Sequence, residues 1–180
     1  MRHEPARAMH ESSEDAQTSV TRVTGKVDPV SGWARRLTAE LESVLLDTLG
    51  LAAAIEWHLR GWQKYTGIAS ELAVSNAAGF DLPEEYAASI FHIYSEALNN
   101  VVRHARARRI AVALTIRPHK VTLVVRDYGI GLGHQASSSS QGGIAGMRAR
   151  AQSHKGLCEF AGTASAGTTV TASLPIAQTS

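Results

Sequence analysis

The chain has 180 residues, 44% of them hydrophobic and 19% charged, enough to bury a sizeable core in one domain with tails. Eighteen Lys and Arg stand against sixteen acids, an excess too small to draw nucleic acid or an anionic membrane, so no nucleic-acid partner is expected. No apolar run approaches the ~20 residues that a bilayer crossing needs, so direct membrane insertion is not expected either.

Residues 1–30 are polar, rich in Ser, Thr and Glu and without periodicity, and read as a loose or disordered tail. They hold no hydrophobic stretch of the secretory kind, so the chain reads as cytoplasmic. From Trp33 to about Asp47 the apolar residues Leu37, Leu41, Val44 and Leu45 recur three and four apart, which predicts a helix. Leu51 to Tyr65 predicts a second, with Ala54, Ile55, Trp57, His58, Leu59 and Trp62 in a wide stripe and Gly67 as its stop. "IASELAV", Ile68 to Val74, alternates and reads as a strand.

Next comes "LPEEYAASIFHIYSEALNNVVRHA", with Pro83 at a first helical position and Glu84 and Glu85 in the first turn. It is expected to be the longest helix of the domain. "RRIAVALTIRP" and "KVTLVVRD" predict a hairpin turning at Pro118-His119-Lys120. "YGIGLGHQASSSSQGG" predicts a flexible loop, and "GIAGMRARAQSHKG" a short helix closed by Gly156. "LCEFAGT" and "TTVTASLP" predict a second hairpin, in which the lone Cys158 is a small buried apolar residue. Strands and helices mix without a strict βαβ repeat, which suggests a layered α+β sandwich.

Four stretches carry candidate chemistry. On the long helix, Glu96, Asn100, Arg103 and His104 gather opposite the apolar side, either as an ordinary solvated face or as a ligand face. Asn100 is a poor choice for an exposed helix interior, whereas an amide oxygen and a carboxylate one turn apart suit magnesium and its waters. An arginine one turn further on suits phosphate. In "RDYGIGL", Asp127 either closes a strand or accepts a hydrogen bond from an exocyclic amine, with Gly129 and Gly131 admitting a flat ligand. In "QGGIAGMRAR", glycines lead into a helix whose free amides would seat phosphates. In "SAGTTVTASLP", a small-residue turn presents Thr168 or Thr169.

In this order the four resemble the ATP-binding domain of sensor histidine kinases, within the superfamily of DNA gyrase, Hsp90 chaperones and MutL. "SEALNNVVRHA" resembles the N box, "RDYGIGL" and "GGIAGM" the two glycine boxes, and "AGTTV" the final Gly-Thr element. The segment "AELESVLLDTLGLAAAIEWHLRGWQKYTGI" is similar to the dimerisation–catalytic junction of the nitrate-sensor-like kinases. The resemblance implies a two-layer α/β sandwich of the Bergerat type, its mixed, mostly antiparallel sheet covered on one face by helices. It implies ATP and Mg2+ as cofactors, with Asn100 as metal ligand and Glu96 catalytic beside the γ-phosphate. Arg103 and His104 would lie near the phosphates, and Asp127 would read the adenine amino group. Gly129, Gly131, Gly143 and Gly146 would shape the pocket and lid, and Thr168 would support the adenine end. Asn99 matches no functional position, and residues 133–142 would form a mobile lid. The pattern departs at Gln141 and Ser165, where the family usually has glycine.

The resemblance also implies a domain plan: 1–30 tail, 31–50 remnant of the junction, 51–176 catalytic domain, 177–180 tail. Its activity would be γ-phosphate transfer to a histidine on a separate helical hairpin and, through it, to a response regulator. Within the chain His10-Glu11 is a His-acid pair upstream, in a stretch without amphipathic pattern, so no clear acceptor is expected. His58, His92, His119, His134 and His154 read as surface or packing residues, and a monomer is the default expectation. The alternatives are an anti-sigma-factor-like serine kinase or protein-binding module, and a degenerate nucleotide-binding scaffold.

Overall fold

The computed structural model describes residues 29–77, 80–131, 138–163 and 166–177, and of 29–43, 45 and 138–141 the backbone only. Most of the expected tail, with His10, lies outside the described residues, as do lid residues 133–137, His134, Ser165 and residues 178–180. The chain divides into two compact units, Met1–Glu42 and Ser43–Ser180, and the second contains the sheet and the core.

The first helix, α1, runs Pro29–Thr66, so it begins before Trp33, with proline where its missing N–H costs least. Gly50 interrupts it at φ 76, ψ 165, a left-handed conformation that only glycine adopts cheaply. The two expected helices therefore meet end to end across a kink. Past the kink the helix covers residues 51–66 and is shorter than α2, Glu84–Asn100, which at 17 residues is the longest helix after Gly50 among the described residues.

Five strands follow: β1 Ala69–Asn76, β2 Arg109–Arg117, β3 Lys120–Asp127, β4 Leu157–Gly162 and β5 Thr168–Pro175. The sheet order is β1-β2-β3-β5-β4. β1 pairs with β2 in parallel through the α2 crossover, and the remaining pairs are antiparallel, so the sheet is mixed as expected. The hairpin closes with Arg117 opposite Lys120.

One face of the sheet is buried. Ile110, Val112, Leu114 and Ile116 of β2, Val121, Leu123 and Val125 of β3, and Val170, Ala172 and Leu174 of β5 all belong to it. Against them pack Ile90, Phe91, Ile93, Tyr94 and Leu98 of α2, Leu51, Ile55 and Leu59 of α1, and Met147 and Ala151 of the third helix. Alternation with period two puts every one of these strand residues on the same side, which is why a single core forms.

That third helix, α3, runs Ser138–Ser153 and so begins earlier than expected, taking up residues 138–142 of the expected lid. Its end is a Schellman turn: Gly156 N–H donates to Ala151 O at 2.8 Å, and Lys155 holds the left-handed position at φ 56. Cys158 is buried, and desolvation pushes its thiol up to about 11, so at neutral pH it is a protonated apolar group.

Candidate functional site

The alternation that buries Val121, Leu123 and Val125 delivers Asp127 to the same helix-covered face as β3 ends. Among the described residues it is the only buried charged or polar side chain, at 4% exposure. A carboxylate so placed needs hydrogen-bond partners. Its Oδ1 accepts from Gly129 N–H at 2.9 Å, while Oδ2 is the oxygen free in that contact to accept from another donor.

Three glycines allow the backbone to close around this acid. A Cβ on Gly129 would collide with the Ala105 carbonyl, which accepts from Ile130 N–H at 2.9 Å. A Cβ on Gly131, at φ 76, would collide with the carbonyl of Thr163. A Cβ on Gly167 would collide with the carbonyl of Asp127 itself. Thr168 is half-buried and begins β5; the register that pairs Arg126 with Thr169, carried one step on, sets it across from Asp127. The end of β3, the start of β5 and the end of the α2 segment thus converge on one acid.

Ala105 closes a π-helical turn, Val101–Ala105, that follows α2 directly and ends at Arg106 in the left-handed region, φ 50. Such turns recur at functional sites because they redirect the side chains beyond them. Here the turn begins right after Asn100, which is half-buried, while its neighbour Asn99 is exposed. Arg103 and His104 lie on the turn and are exposed. Straight 100° spacing from Glu96 therefore misplaces both of them.

Glu96 is half-buried, and α3 lies against it: a Cβ on Gly143 would collide with its carboxylate. The bland reading of a solvated face does not describe this position. The glycine-rich helix start is corrected too. Gly142 and Gly143 sit inside α3, so its free N-terminal amides belong to residues 138–141 instead. Gly146 faces open space and is brought to nothing. A separate cavity of about 580 Å³ lies between the Gly50 kink, Asn76 and Phe80–Glu84, away from all these residues.

His58, His92 and His154 are partly buried and behave as packing groups. His58 Nδ1 lies 3.1 Å from the Tyr94 hydroxyl, with edge-on contacts to Phe91 and Tyr94, and burial lowers its pKa. His154 Nε2 lies 2.8 Å from Ser89 Oγ, and its ring packs on Tyr86. Burial, then the nearby Arg150 charge, lowers the pKa of His92.

Residues 85–178, more than half of the chain, match the family model described as histidine kinase-, DNA gyrase B- and HSP90-like ATPase. The chain belongs to this ATPase family. Sensor histidine kinase MctS of Rhizobium johnstonii is 31% identical over 174 residues, 94% of this chain and 37% of that protein. The nitrate/nitrite sensor NarX of Escherichia coli is 35% identical over 89 residues, 49% of this chain and 15% of that protein. The histidine kinase domain of the Erythrobacter litoralis EL346 blue-light activated histidine kinase shares the fold, with a TM-score of 0.61 at 23% identity. That likeness covers 96% of this chain and 86% of the other. The expected resemblance to sensor histidine kinases, and the α+β fold it implied with a mixed, mostly antiparallel sheet covered on one face by helices, are both borne out. The chain spans 36% to 47% of the length of four such curated relatives.

Within this ATPase domain two contributors to the site are not legible in the sequence. Gly167 lies inside "AGTTV", where a glycine before a strand reads as an ordinary turn residue. Ala105 contributes only a backbone carbonyl, for which a sequence carries no signal. Among the described residues no group of three or more His, Cys, Asp or Glu could hold a metal alone.

Proposed function

We propose that this chain is the magnesium-ATP-binding catalytic portion of a two-component sensor histidine kinase, working in the cytoplasm. The observation that carries the reading is Asp127, a buried acid on the helix-covered face, closed in by Gly129, Gly131 and Gly167. A buried carboxylate with one oxygen committed to Gly129 is a natural acceptor for an adenine amino group. Asn100 would hold Mg2+ through its amide oxygen, and the ion would supply charge neutralisation at the β- and γ-phosphates. Glu96, one turn earlier, is the catalytic carboxylate beside the γ-phosphate. Arg103 and His104, exposed on the π turn, would serve the phosphates, and Thr168 the adenine end. Gly143 and Gly146 belong to the lid on α3.

The reaction is an in-line displacement. A ring nitrogen of a histidine on a separate helical hairpin attacks the γ-phosphorus, the bond to the bridging oxygen breaks, and ADP leaves. The phosphoryl group then passes to a response regulator. Positioning and electrostatics do most of the work in such transfers, so the domain needs few protein groups at the reacting centre.

The test is incubation with γ-labelled ATP and candidate histidine hairpins. Acid-labile, base-stable label on a hairpin is the expected result; acid-stable label on a serine would overturn the histidine assignment. In parallel, Asn100→Ala should weaken ATP binding when Mg2+ is present and leave binding in chelator unchanged. Equal loss under both conditions would remove Asn100 from the metal.

A further inference from the structure

The residue after Asp127 belongs to the other side of the sheet. The alternation that turns Asp127 toward the helices turns Arg126 and Tyr128 outward, with Arg109 of β2 and Glu71 of β1 on the same outer face. Paired register ends at Ile110 with Asp127, so Tyr128 is the first residue that the β2–β3 ladder no longer holds. One backbone bond carries on, from Tyr128 N–H to Arg109 O at 3.1 Å, and side chains supply the rest. The Arg109 guanidinium carbon lies 5.0 Å from the centre of the Tyr128 ring, and that of Arg126 4.9 Å. Arg109 is itself fixed, since its Nη2 donates to both carboxylate oxygens of Glu71 at 2.9 Å. A row of four side chains thus runs from β1 to the end of β3 and closes on Tyr128.

Strand ends open where pairing stops, and here the last paired residue is the one that carries the buried acid. On the other side, Gly167 leaves room for the Asp127 carbonyl and the Tyr128 Cα but supplies no side chain to grip them. We infer that Tyr128 is a positioning residue for base reading: pinned by Arg109 and Arg126 on the outer face, it holds the end of β3 so that the Asp127 carboxylate stays aimed at the base. The inference rests on Asp127 accepting from the adenine amino group, as proposed above. A hydrogen bond weakens steeply once its angle is lost, so a carboxylate free to swing discriminates poorly between an amino group and a carbonyl. Exposed cation–π contacts are each worth a factor of about two to five in an equilibrium. Two of them bias a single residue at a strand end without governing the fold.

Competition of ATP against GTP for the full chain, in Mg2+, tests this. Tyr128→Ala should shrink the preference for ATP about three- to tenfold, part of the combined worth of the two contacts. Tyr128→Phe keeps the ring and should keep the preference. Arg109→Gln together with Arg126→Gln alters only the outer face and should reproduce the loss, with circular dichroism unchanged. In the Asp127→Asn background Tyr128→Ala should have no further effect on the preference, because it acts through that carboxylate. An unchanged preference in Tyr128→Ala, or the same loss with and without the Asp127 carboxylate, would overturn the inference and leave Asp127 as the base reader. If Asp127→Asn alone keeps the preference intact, base reading by Asp127 fails, and this inference falls with it.

Discussion

At the scale of single residues the domain is organised by what its glycines exclude. Gly129 has the Ala105 carbonyl where a side chain would go, so Gly129→Ala should cost about 1–3 kcal/mol as backbone is forced apart. Gly146 meets nothing within 4 Å and sits inside α3, so Gly146→Ala should be neutral or stabilise by up to about 1 kcal/mol. Urea denaturation of the two variants side by side checks the contrast. Asp127 makes the companion prediction in binding. Asp127→Asn keeps the shape but replaces an acceptor-only group with one that also donates, so the preference for ATP over GTP should erode toward parity in competition binding. An unchanged preference would take Asp127 out of base reading.

Between elements, the contact that ties α1 to α2 is His58 against Tyr94 and Phe91. Burial lowers the His58 pKa, so the folded state favours the neutral ring more strongly than the unfolded chain does. The sign follows: stability from this group is fully present above the ordinary histidine value of ~6.5 and is lost as pH falls. Unfolding free energy should therefore drop between pH 7.5 and 5.5, and His58→Gln should flatten that drop. Some slope should persist in the variant, because His92 is shifted in the same direction by burial and Arg150. Elements also show how far local reading reaches. The β2–β3 turn, the β4–β5 hairpin and the helical periodicity of α2 follow from residues a few positions apart. The π turn after Asn100 does not, since nothing in "VVRHA" marks it, and it displaces Arg103 and His104 from their expected line.

For the whole molecule, the sheet and its buried face lie in the unit Ser43–Ser180, which includes the C-terminal part of α1 from before the Gly50 kink. A chain beginning at Ser43 should accordingly fold by itself. Its melting midpoint should lie within about 3 °C of the parent, roughly 1 kcal/mol for a domain of this size. Differential scanning calorimetry decides this, and a much larger drop would mean that residues before Ser43 help to stabilise the ATPase domain.

The sequence by itself determined the order of elements, the one buried face and the identity of the acid at the end of β3. Periodicity and turn chemistry are written within a few residues of where they act. The family resemblance also set Asn100 apart from Asn99, which matches none of that family's functional positions. The tertiary structure decided the rest. That Gly167 closes on Asp127, that Gly129 meets the end of the helix, and that α3 lies on Glu96 through Gly143 are contacts between segments remote in sequence. A glycine reads the same wherever it stands, and only the backbone brought against it reveals what its missing side chain is for.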